Sequence, residues 1–341
     1  MALASLTTMR AMVMAAGLGT RLRPLTWEIP KPVVPVANRP VIEHILRGLH
    51  THGVDEIVSN LHWFPETIRG PIGDGSALGV EMTWVEEAEL LGTAGGVRNV
   101  ADFLTADGEP FLVMAGDALT DIDFTALIEA HRANDGIATL AVKQVEDVSQ
   151  FGVVVTDGDG RVQGFQEKPD QAEALSDLTN TMIYIFDPEV IDHFPSREVI
   201  DFALDVFPAL LDQDVPFHVH RFDRYWNDVG SIPEYLQGNL DAVAGEVQVD
   251  LGGELVSGGP SEEETEVQSG GWDLSGRVLV GEGASVGEGA RIDGPAVLGP
   301  GATVGAGAIV KQSVLLADAE VPADALLVGA ACGRRGRLAA S

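Results

Sequence analysis

The feature that most restricts how this chain can fold is an aliphatic residue returning at every sixth position. The run reads Val280-Gly-Glu-Gly-Ala-Ser, Val286-Gly-Glu-Gly-Ala-Arg, Ile292-Asp-Gly-Pro-Ala-Val, Leu298-Gly-Pro-Gly-Ala-Thr and Val304-Gly-Ala-Gly-Ala-Ile. Leu274 can begin the series, and Val310 and Leu316 continue it with weaker matches. An inward aliphatic every six residues, with a small residue four later, suits a short triangular parallel β-helix in which each hexad supplies one face. A flexible Gly/Ala-rich tail would have no reason to hold register through five consecutive hexads. The matches amount to about two and a half coils, short for a free-standing solenoid. The tail is therefore expected to pack on the rest of the chain or on a second copy, which points to a homo-oligomer.

Upstream, residues 11–244 alternate strand and helix. An apolar run over residues 9–15 leads into Gly17 and Gly19, the profile of a buried parallel strand. Asn38 is placed to cap a helix that carries Val41, Ile42, Ile45, Leu46 and Leu49 at helical spacing and stops at Gly53. Strands are expected at residues 56–60, 80–85, 111–115 and 137–142, and a helix over 124–133 that Asp121 or Asp123 can cap. Such alternation implies a mostly parallel, Rossmann-like sheet covered on both faces. Asp157-Gly158-Asp159-Gly160, between residues 151–156 and 161–166, signals a hairpin and hence an antiparallel insertion. Residues 246–276 hold eight acidic and no basic side chains, with many Gly and Ser, and read as a solvated linker with at most a little edge strand at 247–251. The expected organisation is an α/β domain over residues 9–245, the linker over 246–273 and the hexapeptide-repeat β-helix over 274–332.

Charge narrows the partners. Fifty-two Asp and Glu against 21 Lys and Arg give a formal net charge of −31. Duplex nucleic acid and anionic membrane both need a basic footprint, so neither is expected as a partner. The lone cysteine, Cys332, leaves no intramolecular disulfide and no multi-Cys metal site. No apolar run approaches the roughly 18 residues of a membrane span, and the first residues lack a secretory layout, so the cytoplasm is expected. The eight histidines form no metal or triad pattern.

Against that acidic background, Ala15-Ala-Gly-Leu-Gly-Thr-Arg-Leu-Arg-Pro-Leu-Thr26 and Pro30-Lys-Pro32 stand out. Glycines after a first strand let backbone N–H groups approach a phosphate closely. Arg21, Arg23 and Lys31 add positive charge beside them, which a purely structural turn would not require. The stretch is not a Walker loop, because no Gly-Lys-Ser/Thr follows, and it lacks the third glycine of the dinucleotide fingerprint.

The stretch from residue 12 to residue 46 resembles the signature of the sugar-1-phosphate nucleotidyltransferases (sugar nucleotide pyrophosphorylases), and its Lys-Pro ending is most similar to mannose-1-phosphate guanylyltransferases. The likeness extends through Ala244, and hexad tails are common in that family. The resemblance implies that Ala15, Gly17, Gly19 and Thr20 wrap the nucleotide while Arg21 and Lys31 hold its triphosphate. Leu91-Gly-Thr-Ala-Gly-Gly96 resembles the base-binding loop, placing Gly92 and Thr93 near base and ribose. Asp117, at the end of a buried strand, resembles the magnesium carboxylate, and Trp226-Asn-Asp228-Val-Gly230 the motif that supplies a second one. Mg²⁺, with one or two carboxylates and phosphate oxygens, is then the implied cofactor. Gln166-Glu167-Lys168-Pro169 resembles the element in which Glu167 takes sugar hydroxyls and Lys168 the sugar phosphate. Gly152 and Asn180 match further sugar positions, and Met182 stands where family members usually have glycine.

The resemblance implies nucleotidyl transfer from a nucleoside triphosphate to a sugar-1-phosphate, with GDP-mannose the first choice of product and UDP- or dTDP-sugars the alternative. Two other classes compete. Hexad β-helices also build acyltransferases, but those generally use a histidine in the helix, and none occurs after His220. A regulatory subunit that kept the fold and lost turnover would be expected to lose charge at the phosphate or metal positions. Arg21, Lys31, Asp117, Lys168 and Asp228 all stand.

Overall fold

The computed structural model describes residues 9–258, 271–334 and 336–338; the Glu262-Glu263-Glu264 run of the expected linker lies outside them. The chain divides into two compact units, each assembled from separated stretches. One holds the residues up to Gly17 together with Ile45–Gly116 and Ile122–Trp226; the other holds Leu18–His44, Asp117–Asp121 and the chain from Asn227 onward.

The first unit is built on a mixed sheet. The strands Arg10–Met14, Glu56–Leu61, Glu81–Glu86 and Phe111–Ala115 are parallel neighbours, with Arg10–Met14 between Glu56–Leu61 and Phe111–Ala115. Arg10–Met14, Glu56–Leu61 and Phe111–Ala115 are mostly buried along their length, as central strands covered on both faces are, while Glu81–Glu86 at the edge alternates exposed and buried positions at its start. Beyond Phe111–Ala115 the sheet turns antiparallel at Leu178–Phe186, which also pairs with Ala138–Gln144. Gly152–Thr156 and Val162–Glu167 form the expected hairpin, its Asp157 accepting the N–H groups of Asp159 and Arg161. Behind the sheet, Phe165, Phe207, Phe217, Tyr184, Phe186 and Phe202 pack ring against ring. The helix Phe124–Ala133 is capped by Asp123, which accepts from the Ala126 N–H at 3.0 Å.

Val41–Thr51 is helical, and its five apolar positions are fully buried, but Asn38 does not cap it. Ala37 and Asn38 both have positive φ, at 48° and 63°, in the tight turn joining Pro35–Val36 to Arg39–Pro40. Asparagine tolerates that left-handed backbone. Its side chain donates to the Leu298 carbonyl at 3.0 Å, so the sequence's capping signal marks a turn two residues earlier.

The β-helix belongs to the second unit. Strand Asp273–Val280 pairs in parallel with Arg291–Asp293 and with Ala296–Leu298, and Ser285–Val286 pairs with Thr303–Val304. Each of these pairs joins residues 18 positions apart, three hexads to a coil. The inward residues include Ile292, Leu298, Val304 and Val310, all buried. One position is then lost, because Leu298 pairs with Leu315 and not with Leu316. The coils continue through Val321, Leu327 and Cys332, well past the glycine-marked hexads. The reason lies at the corners. Gly301 and Gly307 have φ of 68° and 67°, and the residues stacked below them are Asp318 and Asp324, with φ of 56° and 59°. Aspartate is one of the few residues that enters this conformation readily, so the coil persists where the glycine pattern ends.

Residues 247–251 carry no strand; instead Glu254–Gly258 runs antiparallel to Asp273–Val280, so part of the acidic stretch is β structure. The helix Ile232–Ala244 packs on strands of the β-helix, and the Arg277 guanidinium donates to the Ala244 carbonyl at the helix's negative end. Among the described residues no helix is long and apolar enough to cross a membrane.

Candidate active site

Ligands of open parallel sheets gather beyond the carboxyl ends of the strands. In the first unit three such ends, those of Arg10–Met14, Glu56–Leu61 and Glu81–Glu86, are joined by a polar chain. The Ala15 N–H donates to Asn60 Oδ1 at 2.9 Å, Asn60 Nδ2 donates to Glu87 Oε1 at 2.8 Å, and Glu87 Oε2 accepts the Leu91 N–H at 3.3 Å. The glycine-rich loop is thereby tied to the loop that begins at Leu91. Glu87 is 6% exposed, although its neighbours Glu86 and Glu89 make it read as one of a surface acidic run. A carboxylate buried to this degree needs the hydrogen bonds it has.

Gly92 precedes the helix Thr93–Asn99 with φ 79°. The Thr93 hydroxyl donates to Asp201 at 2.9 Å and accepts the Phe202 N–H, so it braces the segment around residue 201. Gly96 lies against the buried pair: a Cβ there would sit 2.9 Å from Asn60 Nδ2 and 3.1 Å from Glu87 Oε1. We expect Gly96→Ala to cost about 1–3 kcal/mol through this overpacking, read as a lowered denaturation midpoint. An unchanged midpoint would mean the Asn60–Glu87 pair is not held as tightly as drawn.

The same unit brings three of the four expected sugar positions into one cleft. Gly152, Glu167 and Asn180 line a space of about 330 Å³ together with Phe165, Gln166, Ala203 and Leu204. Lys168 does not line it. It sits at φ 44° with its Nζ 3.5 Å from Glu167 Oε1 and half its side chain exposed. Met182 has φ 59°, which explains in backbone terms why glycine suits that position.

The second unit gathers the charged groups. Lys31 Nζ lies 2.8 Å from Asp117 Oδ2 and donates to the Asp228 carbonyl at 2.7 Å. Arg21 reaches Asp228 Oδ2 at 3.2 Å. Four expected site residues from three stretches of sequence therefore share one cluster. Asp228 is held by a local turn: Asn227 Oδ1 accepts the Val229 N–H at 2.7 Å, and Asp228 Oδ1 accepts the Gly230 N–H at 3.1 Å. Gly19, at φ 60°, has its carbonyl bonded to the Thr26 hydroxyl at 2.7 Å, while Thr20, Arg21 and Arg23 are exposed. Glu234, in the first turn of the helix Ile232–Ala244, joins the cluster through Asp228. Its burial, and then the Asp228 charge, hold its carboxyl above the usual carboxylate range.

Asn60, Glu87 and Glu234 were not found by sequence reasoning. Asn60 had one usable signal, its place at the carboxyl end of a parallel strand. Glu87 had none, standing in an acidic run, and the spacing of Glu234 three residues after Ser231 signals only the start of a helix.

The nucleotidyl transferase family matches residues 10–244. A UTP–glucose-1-phosphate uridylyltransferase of Synechocystis sp. is 41% identical over 251 residues, covering 70% of this chain and 65% of that protein. A mannose-1-phosphate guanylyltransferase of Mycobacterium tuberculosis is 35% identical over 282 residues, covering 81% of this chain and 76% of that one. The solved structure of HddC from Yersinia pseudotuberculosis superposes with a TM-score of 0.60 at 25% identity, over 68% of this chain and 98% of HddC. The alignment thus spans just under two thirds of the uridylyltransferase's own length. With the parallel-sheet unit, the glycine-rich loop and the Lys31–Asp117–Asp228 cluster in place, the chain belongs to the nucleotidyl transferase family.

Proposed function

We propose that this protein transfers a nucleotidyl group from a nucleoside triphosphate to a sugar-1-phosphate, releasing pyrophosphate and giving an NDP-sugar. The observation that carries the reading is the meeting of Arg21, Lys31, Asp117 and Asp228 in a chain of net charge −31. Cations concentrated in this way suit a polyphosphate, and a carboxylate pair beside them suits a phosphate-bound divalent ion.

A sugar-phosphate oxygen forms a bond to the α-phosphorus in line, and the bond to the departing pyrophosphate breaks. The attacking phosphate is already anionic at neutral pH, so no protein base is required. The protein's work is positioning and charge neutralisation. Arg21 and Lys31 take up charge on the leaving pyrophosphate. Lys168 holds the sugar phosphate, and Glu167, Asn180 and the Gly152 backbone hold the sugar. Ala15, Gly17, Gly19, Thr20, Gly92 and Thr93 receive the nucleotide.

The donor set fits Mg²⁺. Asp117 and Asp228 offer hard carboxylate oxygens with side chains 32% and 17% exposed, the first at Lys31 and the second at Arg21, while Lys31 also bonds the Asp228 backbone carbonyl. These two residues would hold the ion, which when bound supplies charge neutralisation at the transferred phosphoryl group.

GDP-mannose from GTP and mannose-1-phosphate is the first choice of product, and a UDP- or dTDP-sugar the second, since relatives named for guanylyl and for uridylyl transfer both match. The deciding experiment is pyrophosphate release with Mg²⁺ across GTP, UTP, dTTP, ATP and CTP against mannose-, glucose-, galactose- and N-acetylglucosamine-1-phosphates. GTP with mannose-1-phosphate is expected to dominate. Another dominant pair would keep the reaction and change the product. Silence in every well from folded protein would replace catalysis with a regulatory role.

A further inference from the structure

Asn180 lies in the sugar cleft with its orientation already decided. Its Oδ1 accepts the Met182 N–H at 3.1 Å and the Tyr184 hydroxyl at 3.0 Å. A backbone N–H can only donate, so the side-chain atom facing it must be the amide oxygen and not the NH₂. The Tyr184 proton then belongs on Oδ1, although Met182 Sδ also stands 3.1 Å from the hydroxyl, because two oxygens without a proton between them would repel. Burial holds the Tyr184 phenol above its ordinary range, so it stays a donor at any working pH. The strand supplies the geometry: between Asn180 and Tyr184 the register with Ala138–Gln144 shifts, and Met182 at φ 59° brings its N–H back to Asn180. Both bonds fall on Oδ1, which leaves the two Nδ2 protons for the cleft.

We infer that Tyr184 is a positioning residue for sugar selection: it locks Asn180 as an obligate donor, so that the cleft takes a sugar-1-phosphate presenting a hydrogen-bond acceptor at that point. Glu167, in the same cleft, is acceptor-only when ionised, so the two residues demand opposite roles from the hydroxyls they meet. A free amide could turn over and serve either hydroxyl; the locked one cannot. Discrimination of this kind rests on leaving a buried polar group unpaired when the wrong sugar binds.

The inference rests on the cleft being the sugar site, and the test separates the two. In the full chain, Tyr184→Phe, Asn180→Asp and Asn180→Ala are compared by initial rates, varying first the sugar-1-phosphate and then the nucleoside triphosphate at saturating partner. Asn180→Ala and Asn180→Asp are each expected to raise the sugar KM by about tenfold, and Tyr184→Phe by about fivefold, with the triphosphate KM within about twofold of wild type. Asn180→Asp keeps both acceptor bonds, removes the donors and adds a negative charge beside Glu167. A raised KM there is therefore read against Asn180→Ala, which removes the donors without adding charge, and the pair tests the claimed role even if Tyr184→Phe folds poorly. An unchanged sugar KM in Asn180→Asp, or in folded Tyr184→Phe while Asn180→Ala is impaired, overturns the positioning role and leaves the sugar cleft standing. An unchanged sugar KM in Asn180→Ala overturns the cleft assignment itself. A merely structural Tyr184 would instead raise both KM values together.

Discussion

Asp117→Asn should lower kcat/KM by about three orders of magnitude while the protein still folds. The substitution is isosteric and removes one unit of negative charge from a side chain about one third exposed, so little packing is at stake. What is lost is half of the carboxylate pair that would hold a divalent ion against the phosphates. Lys31 keeps its bond to the Asp228 carbonyl, which preserves the local backbone. The measurement is pyrophosphate release by wild type and variant over a Mg²⁺ titration, with circular dichroism and a thermal melt as controls. Near-normal turnover at ordinary Mg²⁺ would remove Asp117 from the metal assignment.

Lys31→Met is expected to cost about two to three orders of magnitude, chiefly in kcat. The Lys31 side chain is 8% exposed and its ammonium is the only group seen to touch both Asp117 and the Asp228 backbone among the described residues. Methionine fills a similar volume, so the stem's packing survives and the charge alone is withdrawn. Loss of charge stabilisation on a leaving pyrophosphate appears in the transition state more than in the bound ground state, hence the weight on kcat. The stability change should stay small, because Asp117 is open enough to recover solvation. A variant with normal kcat and a raised triphosphate KM would recast Lys31 as a ground-state binding group.

What the sequence revealed depended on whether the signal was local. Hexads and the Asp-Gly-Asp-Gly turn are written in consecutive residues, and both were legible. The coils run past the glycine-marked hexads because glycine is only one solution for the left-handed corners, and Asp318 and Asp324 supply another. Asn38 misled for a related reason: the side chain that favours a helix cap also favours a left-handed turn, and only the Leu298 carbonyl decides between them. The charged cluster was legible by resemblance, but its physical connection was not, since Lys31 and Asp228 are 197 residues apart. The Asn60–Glu87 chain left no trace, because burial of a polar pair is a property of the folded surroundings and not of either residue's neighbours.

The discontinuity of the second unit has a consequence for how the protein is made. Lys31 and Asp117 leave the ribosome early, but the turn that presents Asp228 and the helix and coils around it are translated only after Trp226. Domains form as units during synthesis, starting from the amino-terminal side. A nascent chain can thus complete strands and the sugar cleft of the first unit while the charge cluster still lacks a member. Under the proposed reaction, a chain that stops before Asp228 lacks one of the four clustered charges and is expected to be inert toward nucleotide.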